Sequence, residues 1–137
     1  MLSWDERVGI AQSTVARFSG RPLDWGKVDC VKMAAHVLRE AGHTVPLARG
    51  GSYSTHVGAL RALRRAGYGS LMEAVEDRGL ASIAPAARWP ADLVALPAEP
   101  PFDVALYVSL TNGRLLGVRD GMMTIVQPHQ FTAAWRL

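Results

Sequence analysis

The sequence is short of several features, and each shortage excludes a class of protein. With one cysteine in 137 residues, a disulfide within the chain is impossible, and no cluster of Cys and His has zinc-ligand spacing. No apolar run reaches the roughly 20 residues of a membrane-spanning helix, and the first residues lack the apolar stretch of a signal peptide. We therefore expect no metal, no cofactor and no membrane span, and a chain that is assembled in a cytoplasm.

The sequence also lacks a large excess of charge of either sign. Fifteen basic and twelve acidic side chains give a formal net charge of +3, an excess that the sequence does not visibly concentrate. Arg61, Arg64 and Arg65 lie opposite the apolar positions of their predicted helix, which is typical of a solvated face. We therefore expect no nucleic-acid partner.

What is present in the first 80 residues is a series of helix signals. Good N-cap residues precede apolar residues at helical spacing four times, and glycine or alanine ends each pattern. The predicted caps are Ser3, Asp29, Thr55 and Ser70, and the predicted ends lie near Gly20, Ala41, Gly67 and Gly79. A glycine-containing loop at 45–54 separates the second helix from the third. It suits either a segment that folds over a site or a plain connector.

The character of the chain changes after Pro85, where short apolar runs and turn residues predict strands. The predicted strands are 92–96, 102–108, 115–118 and 123–126. Asn-Gly at 112–113 and Asp-Gly at 120–121 are hairpin turns, because both pairs tolerate positive φ angles. The sequence predicts one α+β domain over 1–137, with N-terminal helices (about 1–80) packed on a C-terminal antiparallel meander of about four strands (about 90–137).

The single cysteine, Cys30, lies in the first turn of the second helix, directly after the N-cap Asp29. It belongs to the apolar stripe that continues at Met33, Ala34 and Val37. The helix dipole at this end favours a thiolate. A lone cysteine on an apolar stripe is more often a small core residue, so both interpretations stay open.

The residues around Cys30 resemble a known family. PLDWG at 22–26, followed by Asp29-Cys30, resembles the opening of NlpC/P60-type cysteine peptidases and their phage tail relatives. DLVAL at 92–96 is similar to their GDLVFF strand, with Ala91 where the glycine usually stands. DVALYV at 103–108, followed by NGRL at 112–115, is similar to their HVGIYLGNGxF hairpin. The resemblance implies a papain-like fold, with Cys30 at the position of the nucleophile.

Three more features resemble the phage-tail family of NlpC/P60-like proteins designated DUF6950. They are the RGGSY loop at 49–53, the helix GALRAL at 58–63 and the terminal AWR at 134–136. The resemblance thus covers nearly the whole chain. Trp25, Arg49 and Tyr53 are the candidate binding residues.

One departure from the family bears on activity. The peptidases place the catalytic histidine at the start of the second strand of the sheet, and this chain has Asp103 there. A carboxylate of ordinary pKa cannot supply the imidazolium that stabilises a thiolate and protonates the leaving amine. Of the four histidines, His129 is the least implausible substitute, because it lies in a loop at a sheet end. His56, near the glycine loop, is a weaker candidate.

These observations leave three hypotheses. The first is a phage tail-tip or hub protein, structural or assembly-related, whose cysteine-peptidase site is degenerate. It would act in the virion and bind other tail proteins through the 49–53 loop or the Trp135 end. The second is an active cysteine peptidase or amidase that cleaves peptidoglycan stem peptides during phage entry. The third is a small-ligand binding module that uses the cleft.

Overall fold

The computed structural model describes residues 1–137, apart from the side chain of Ala48. Four α-helices precede six strands, with short 3₁₀ turns at Leu47–Gly50 and Pro85–Ala87. The helices are α1 (Trp4–Phe18), α2 (Cys30–Glu40), α3 (His56–Arg65) and α4 (Leu71–Glu76). The strands are β1 (Ala81–Ile83), β2 (Leu93–Pro97), β3 (Val104–Ser109), β4 (Leu115–Arg119), β5 (Met122–Val126) and β6 (Ala133–Arg136). The α+β class is confirmed. None of the described helices is both long and apolar enough to cross a membrane.

Each α-helix begins directly after the residue predicted to cap it. Ser3, Asp29, Thr55 and Ser70 are all extended, and each side chain accepts a hydrogen bond from the backbone N–H three residues later. At α1 the Glu6 carboxylate also accepts from the Ser3 N–H, which completes a capping box. The helix starts are therefore determined by local chemistry.

The sheet has six antiparallel strands in the order β1-β6-β2-β3-β4-β5, not the predicted four. Strands β2 to β5 form the predicted meander, and Asp120 and Gly121, with φ of 53° and 74°, make its last turn. The terminal segment returns across the sheet as β6 and pairs with both β1 and β2. Trp135 lies opposite Ser82 on one side and Leu93 on the other.

Both faces of the sheet are buried. Helices α1 and α2 pack on one face, where the core includes Met33, Val37, Leu106 and Val108. The other face has its own cluster: Val94, Leu96, Tyr107, Leu115 and Ala134. Trp135 joins the helix-covered core and is 2% exposed. The prediction that the Trp135 end offers an exposed partner surface is therefore wrong, because the return of β6 places that ring inside the molecule.

The chain between α1 and α2 lies along the outer edge of β5. The Gly20 and Leu23 N–H groups donate to the Met123 and Gly121 carbonyls, and the Met123 N–H donates to the Arg21 carbonyl, all at 2.9 Å. Pro22, which has no N–H, sits opposite Met122. These bonds fix the start of the segment that leads into Cys30.

A buried ion pair joins the first helix to the sheet and to the last residues. Arg7 and Asp92 side chains are 1% and 0% exposed and meet at 2.8 Å. The Asp92 carboxylate also accepts from the backbone N–H groups of Trp89 (2.8 Å) and Leu137 (2.9 Å). Arg7 donates to the carbonyls of Pro90 and Leu137 as well. One carboxylate thus connects α1, the start of β2 and the end of β6.

Asp92→Asn should lower the free energy of unfolding by about 3–5 kcal/mol, because it leaves the Arg7 charge buried without a counter-charge. Urea denaturation at pH 7 measures the change. Asp120→Asn is the matched control: Asp120 is exposed in a turn whose positive φ asparagine tolerates, so this variant should change stability by less than about 0.5 kcal/mol. A loss below 1 kcal/mol in Asp92→Asn would contradict the role given to this pair.

Candidate functional site

The site begins with a tight turn that delivers Cys30 to the start of α2. The Val28 N–H donates to the Asp24 carbonyl at 2.7 Å, and the Asp24 N–H donates back at 2.9 Å. Gly26 lies between them with φ of 88°. A Cβ built on Gly26 would lie 2.0 Å from the Tyr53 carbonyl oxygen, so the backbone of the 49–53 loop packs directly on this glycine. The Trp-Gly pair of the sequence motif therefore has a structural cause.

The Asp29 carboxylate holds three segments together. It is 1% exposed as a residue. One oxygen accepts from the Lys32 N–H of α2, and the other accepts from the Gly26 N–H and the Tyr53 hydroxyl, each bond measuring 2.8 Å. Burial raises the pKa of the Tyr53 phenol, and the adjacent Asp29 charge raises it further, so the hydroxyl remains a donor. The loop at 49–53 folds over the start of α2. Of the two interpretations of this loop, a segment that covers a site and a plain connector, the structure agrees with the first.

The Cys30 thiol faces β3 and is protonated at neutral pH. Burial raises the pKa of this thiol to about 11, hydrogen bonding by the Leu106 N–H acts in the opposite direction, and the Asp29 charge raises the pKa further. The backbone N–H groups at the start of α2 lower this pKa, as the helix dipole leads one to expect, but burial has the larger effect. Of the two interpretations of Cys30, the structure therefore favours the small core residue over the thiolate.

Cys30 also lines a half-open cavity of about 300 Å³ between α2, the sheet and the segment formed by α3 and α4. Apolar side chains dominate the lining, among them Leu38, Leu63, Val75, Leu93 and Leu106. The cavity is of the size and polarity at which proteins bind small molecules.

Aromatic rings cluster beside Cys30. Trp25 stacks on Phe102, with ring centroids 6.2 Å apart and planes 19° apart. The His56 ring lies 5.3 Å from both of them. Trp25 and Phe102 line the cavity, and His56 is exposed at the start of α3. The sequence made His56 a weaker candidate than His129, and only its position near the glycine loop indicated that it would lie beside these rings.

The structure places the predicted binding residues in the lining of one cavity, and the predicted catalytic partners of Cys30 outside the described part of that lining. Trp25, Arg49 and Tyr53 line the same cavity as Cys30. Asp103 is exposed, with φ of 63°, on the turn before β3. His129 is exposed on the loop between β5 and β6. Neither belongs to the described lining of the cavity.

The other histidines serve elsewhere. His36 packs edge-on against Phe18, and its Nε2 lies 3.2 Å from the Ser13 hydroxyl. Burial lowers the pKa of His36, Glu40 opposes this, and Arg17 adds to it. His43 is exposed just after α2. In the part of the chain that the structure describes, no group of three or more His, Cys, Asp or Glu side chains could hold a metal ion.

These features define an α+β protein that carries one cysteine at a helix N-terminus, beside an apolar cavity and without a histidine partner in the described lining of that cavity. The chain belongs to the family described as "Domain of unknown function (DUF6950)", whose model matches residues 2–137. The comparison with curated proteins found no match. The predicted membership of DUF6950 is confirmed, while the likeness to NlpC/P60 peptidases and to phage tail proteins stays a prediction.

The first prediction from the site concerns the reaction of Cys30 with iodoacetamide. A pKa of about 11 in place of the ordinary 9.0 leaves about a hundredfold less thiolate at pH 7. The alkylation rate of the folded protein should therefore rise about tenfold per pH unit and level off only near pH 11. The product is unambiguous, because the chain has one cysteine.

Asp29→Asn serves as the companion variant, since asparagine can still cap α2. It should move the inflection only part of the way back, because burial is the larger cause of the high pKa. An inflection below pH 8.5 in the unmodified protein would show a stabilised thiolate and would contradict the burial described here.

Proposed function

We propose that this chain is a structural or assembly protein of a phage tail, at the tail tip or hub, with a papain-like fold of the NlpC/P60 type and a degenerate peptidase site. The observation that carries the proposal is the state of Cys30. By the resemblance to NlpC/P60 peptidases it stands at the position of the nucleophile, but burial raises the pKa of its thiol, and the position of the catalytic histidine holds the exposed Asp103.

A cysteine nucleophile needs an adjacent base and a group that protonates the leaving amine. Asp29 is the nearest carboxylate, and its oxygens are already taken by Gly26, Lys32 and Tyr53. These bonds suit a group that holds structure rather than one that exchanges protons. The arrangement therefore supports a peptidase-like fold in which the structural hydrogen bonds remain and the catalytic base is missing.

An exposed aromatic pair supports a role in assembly. Trp4 and Trp89 are 56% and 40% exposed, and their rings meet edge to face at 6.4 Å. The Arg136 guanidinium lies 3.5 Å from the centre of the Trp89 ring. Exposed aromatic and arginine side chains are the residues that most often anchor protein interfaces. This pair replaces Trp135 as the proposed partner surface.

Two measurements test this function. Quantitative mass spectrometry of purified phage particles should detect the chain at a fixed copy number relative to other tail proteins. Purified peptidoglycan incubated with the protein should release no more stem peptide than with Cys30→Ala. Absence from the particles would overturn the tail assignment. Release that depends on Cys30 would overturn the degenerate site and favour the alternative, an active peptidase or amidase.

The cavity favours a second candidate function, the binding of a small apolar molecule. Its volume of about 300 Å³ equals that of roughly ten water-sized groups at about 30 Å³ each. An apolar cavity of this size loses dispersion contacts when it is unfilled, so a ligand that fills it gains them.

Decanoate should therefore bind with one-to-one stoichiometry in calorimetric titrations. Ala59→Leu, on the α3 face that lines the cavity, should weaken this binding at least fivefold by occupying the space. Ala16→Leu makes the same change on the exposed face of α1 and should leave the affinity unchanged. Equal affinity in both variants would place the ligand elsewhere.

A further inference from the structure

A second concavity, separate in character from the first, lies where the end of α1 meets the side of α2. Its volume is about 670 Å³. We call it the basic concavity, and its lining consists of Arg17, Phe18, Arg21, Gly26, Lys27, Lys32, His36, Arg39 and Glu40. Three segments contribute to it: the C-terminal part of α1 with the residues after it, the turn at 24–28 and the face of α2 that carries Lys32, His36 and Arg39.

The basic concavity contains five of the fifteen basic side chains of the molecule. Its five cations and one carboxylate give it a formal charge of +4, whereas the entire chain carries +3. All other residues together therefore carry −1. The local net charge at the basic concavity therefore exceeds that of the whole chain, although the sequence shows no such concentration.

These cations are not neutralised by neighbours. None of the five takes part in an ion pair among the residues that the structure describes. The carboxylate of Glu40 is engaged by the Ser13 hydroxyl at 3.2 Å and lies 3.8 Å from the His36 Nε2. Two of the cations contact groups outside the described lining: Arg39 donates to the Val45 carbonyl at 3.1 Å, and the Lys32 Nζ lies 5.7 Å from the centre of the Tyr53 ring. Like charges that line one concavity without counter-charges repel one another, and a bound anion relieves that repulsion.

We propose that the basic concavity binds a compact polyvalent anion of the oligophosphate class. Three of its five cations are arginines, whose planar guanidinium groups bind phosphate oxygens in pairs. An oligophosphate places several negative charges within one small group, which matches several cations that line a single concavity.

The lining argues against two other anions. Single-stranded nucleic acid is held by bases stacked on exposed rings, and the two rings in the described lining, Phe18 and His36, are only 2% and 10% exposed. An acidic peptide spreads its charges over about 3.3–3.6 Å of chain per residue, which places most of them beyond the hollow. The favoured ligand therefore carries its charges close together.

The experiment is calorimetric titration with inorganic tripolyphosphate at 50 mM salt. The test variant combines Arg21→Glu and Lys27→Glu, both at exposed positions of the basic concavity. The control variant combines Arg61→Glu and Arg64→Glu on the exposed face of α3. Both variants change the formal net charge from +3 to −1, so they differ only in where the charge is removed.

The unmodified protein should bind one tripolyphosphate, the test variant at least tenfold more weakly, and the control variant within twofold of the unmodified protein. Circular dichroism checks the fold of each variant, and Arg21→Gln with Lys27→Gln replaces the test variant if it unfolds. Equal weakening by the test and control variants would show that binding depends on net charge alone, and would contradict a binding site in the basic concavity.

Histidine resonances in NMR spectra report the location independently. His36 lies in the basic concavity, and His129 is exposed on the loop between β5 and β6. Saturating tripolyphosphate should shift the His36 signals and leave those of His129 in place. Tighter binding of a ten-residue oligothymidylate or of a glutamate decapeptide than of tripolyphosphate would overturn the oligophosphate assignment.

Discussion

The buried carboxylate of Asp29 is the constraint on which the candidate site depends. It accepts hydrogen bonds from the turn before it, from the helix after it and from a tyrosine of a loop that is 24 residues away in the sequence. A buried carboxylate with all its donors in place is rigid, because losing any one of them leaves a charge without compensation. The position of Cys30, the closure of the 49–53 loop and the shape of the cavity all follow from it. The same charge also opposes ionisation of the neighbouring thiol. The residue that organises the site thus adds to the effect of burial on the pKa of Cys30.

Much of the fold could be predicted from the sequence where the signal is local. The caps Ser3, Asp29, Thr55 and Ser70 each act on N–H groups three residues away, and the turn at 120–121 requires only its own backbone angles. Strands β1 and β6 were missed for the opposite reason. They have three and four residues, and they exist because each pairs with a distant strand. Neither has an alternation long enough to predict a strand without its partner. The missed return of β6 also accounts for the wrong expectation about Trp135.

In the candidate site, too, the features with a local signal could be predicted and those that depend on packing could not. Cys30 and its neighbours in the 22–30 stretch could be found from spacing, and so could the loop that covers them. The protonation state of Cys30 could not, because the sequence shows both a helix dipole that favours the thiolate and an apolar stripe that opposes it, and only the packing decides which effect is larger. The basic concavity was equally hidden. Its cations lie between Arg17 and Arg39 in the sequence, mixed with acidic and apolar residues, and only the packing of α1 against α2 turns them toward a common space. Charge summed along a chain does not reveal how a fold distributes it.

The pairing of residues 20–23 with β5 has a consequence for how the molecule meets copies of itself. A strand at the margin of a sheet offers unpaired N–H and carbonyl groups that another chain can join, and natural proteins shield such margins. Here the shield is the segment that leads into the cysteine helix. At the opposite margin β1 has only three residues, which offers little to join. The segment 20–23 therefore has two roles. A substitution that weakened its pairing with β5 would displace Cys30 and would also expose the edge of β5 to pairing with another copy of the chain.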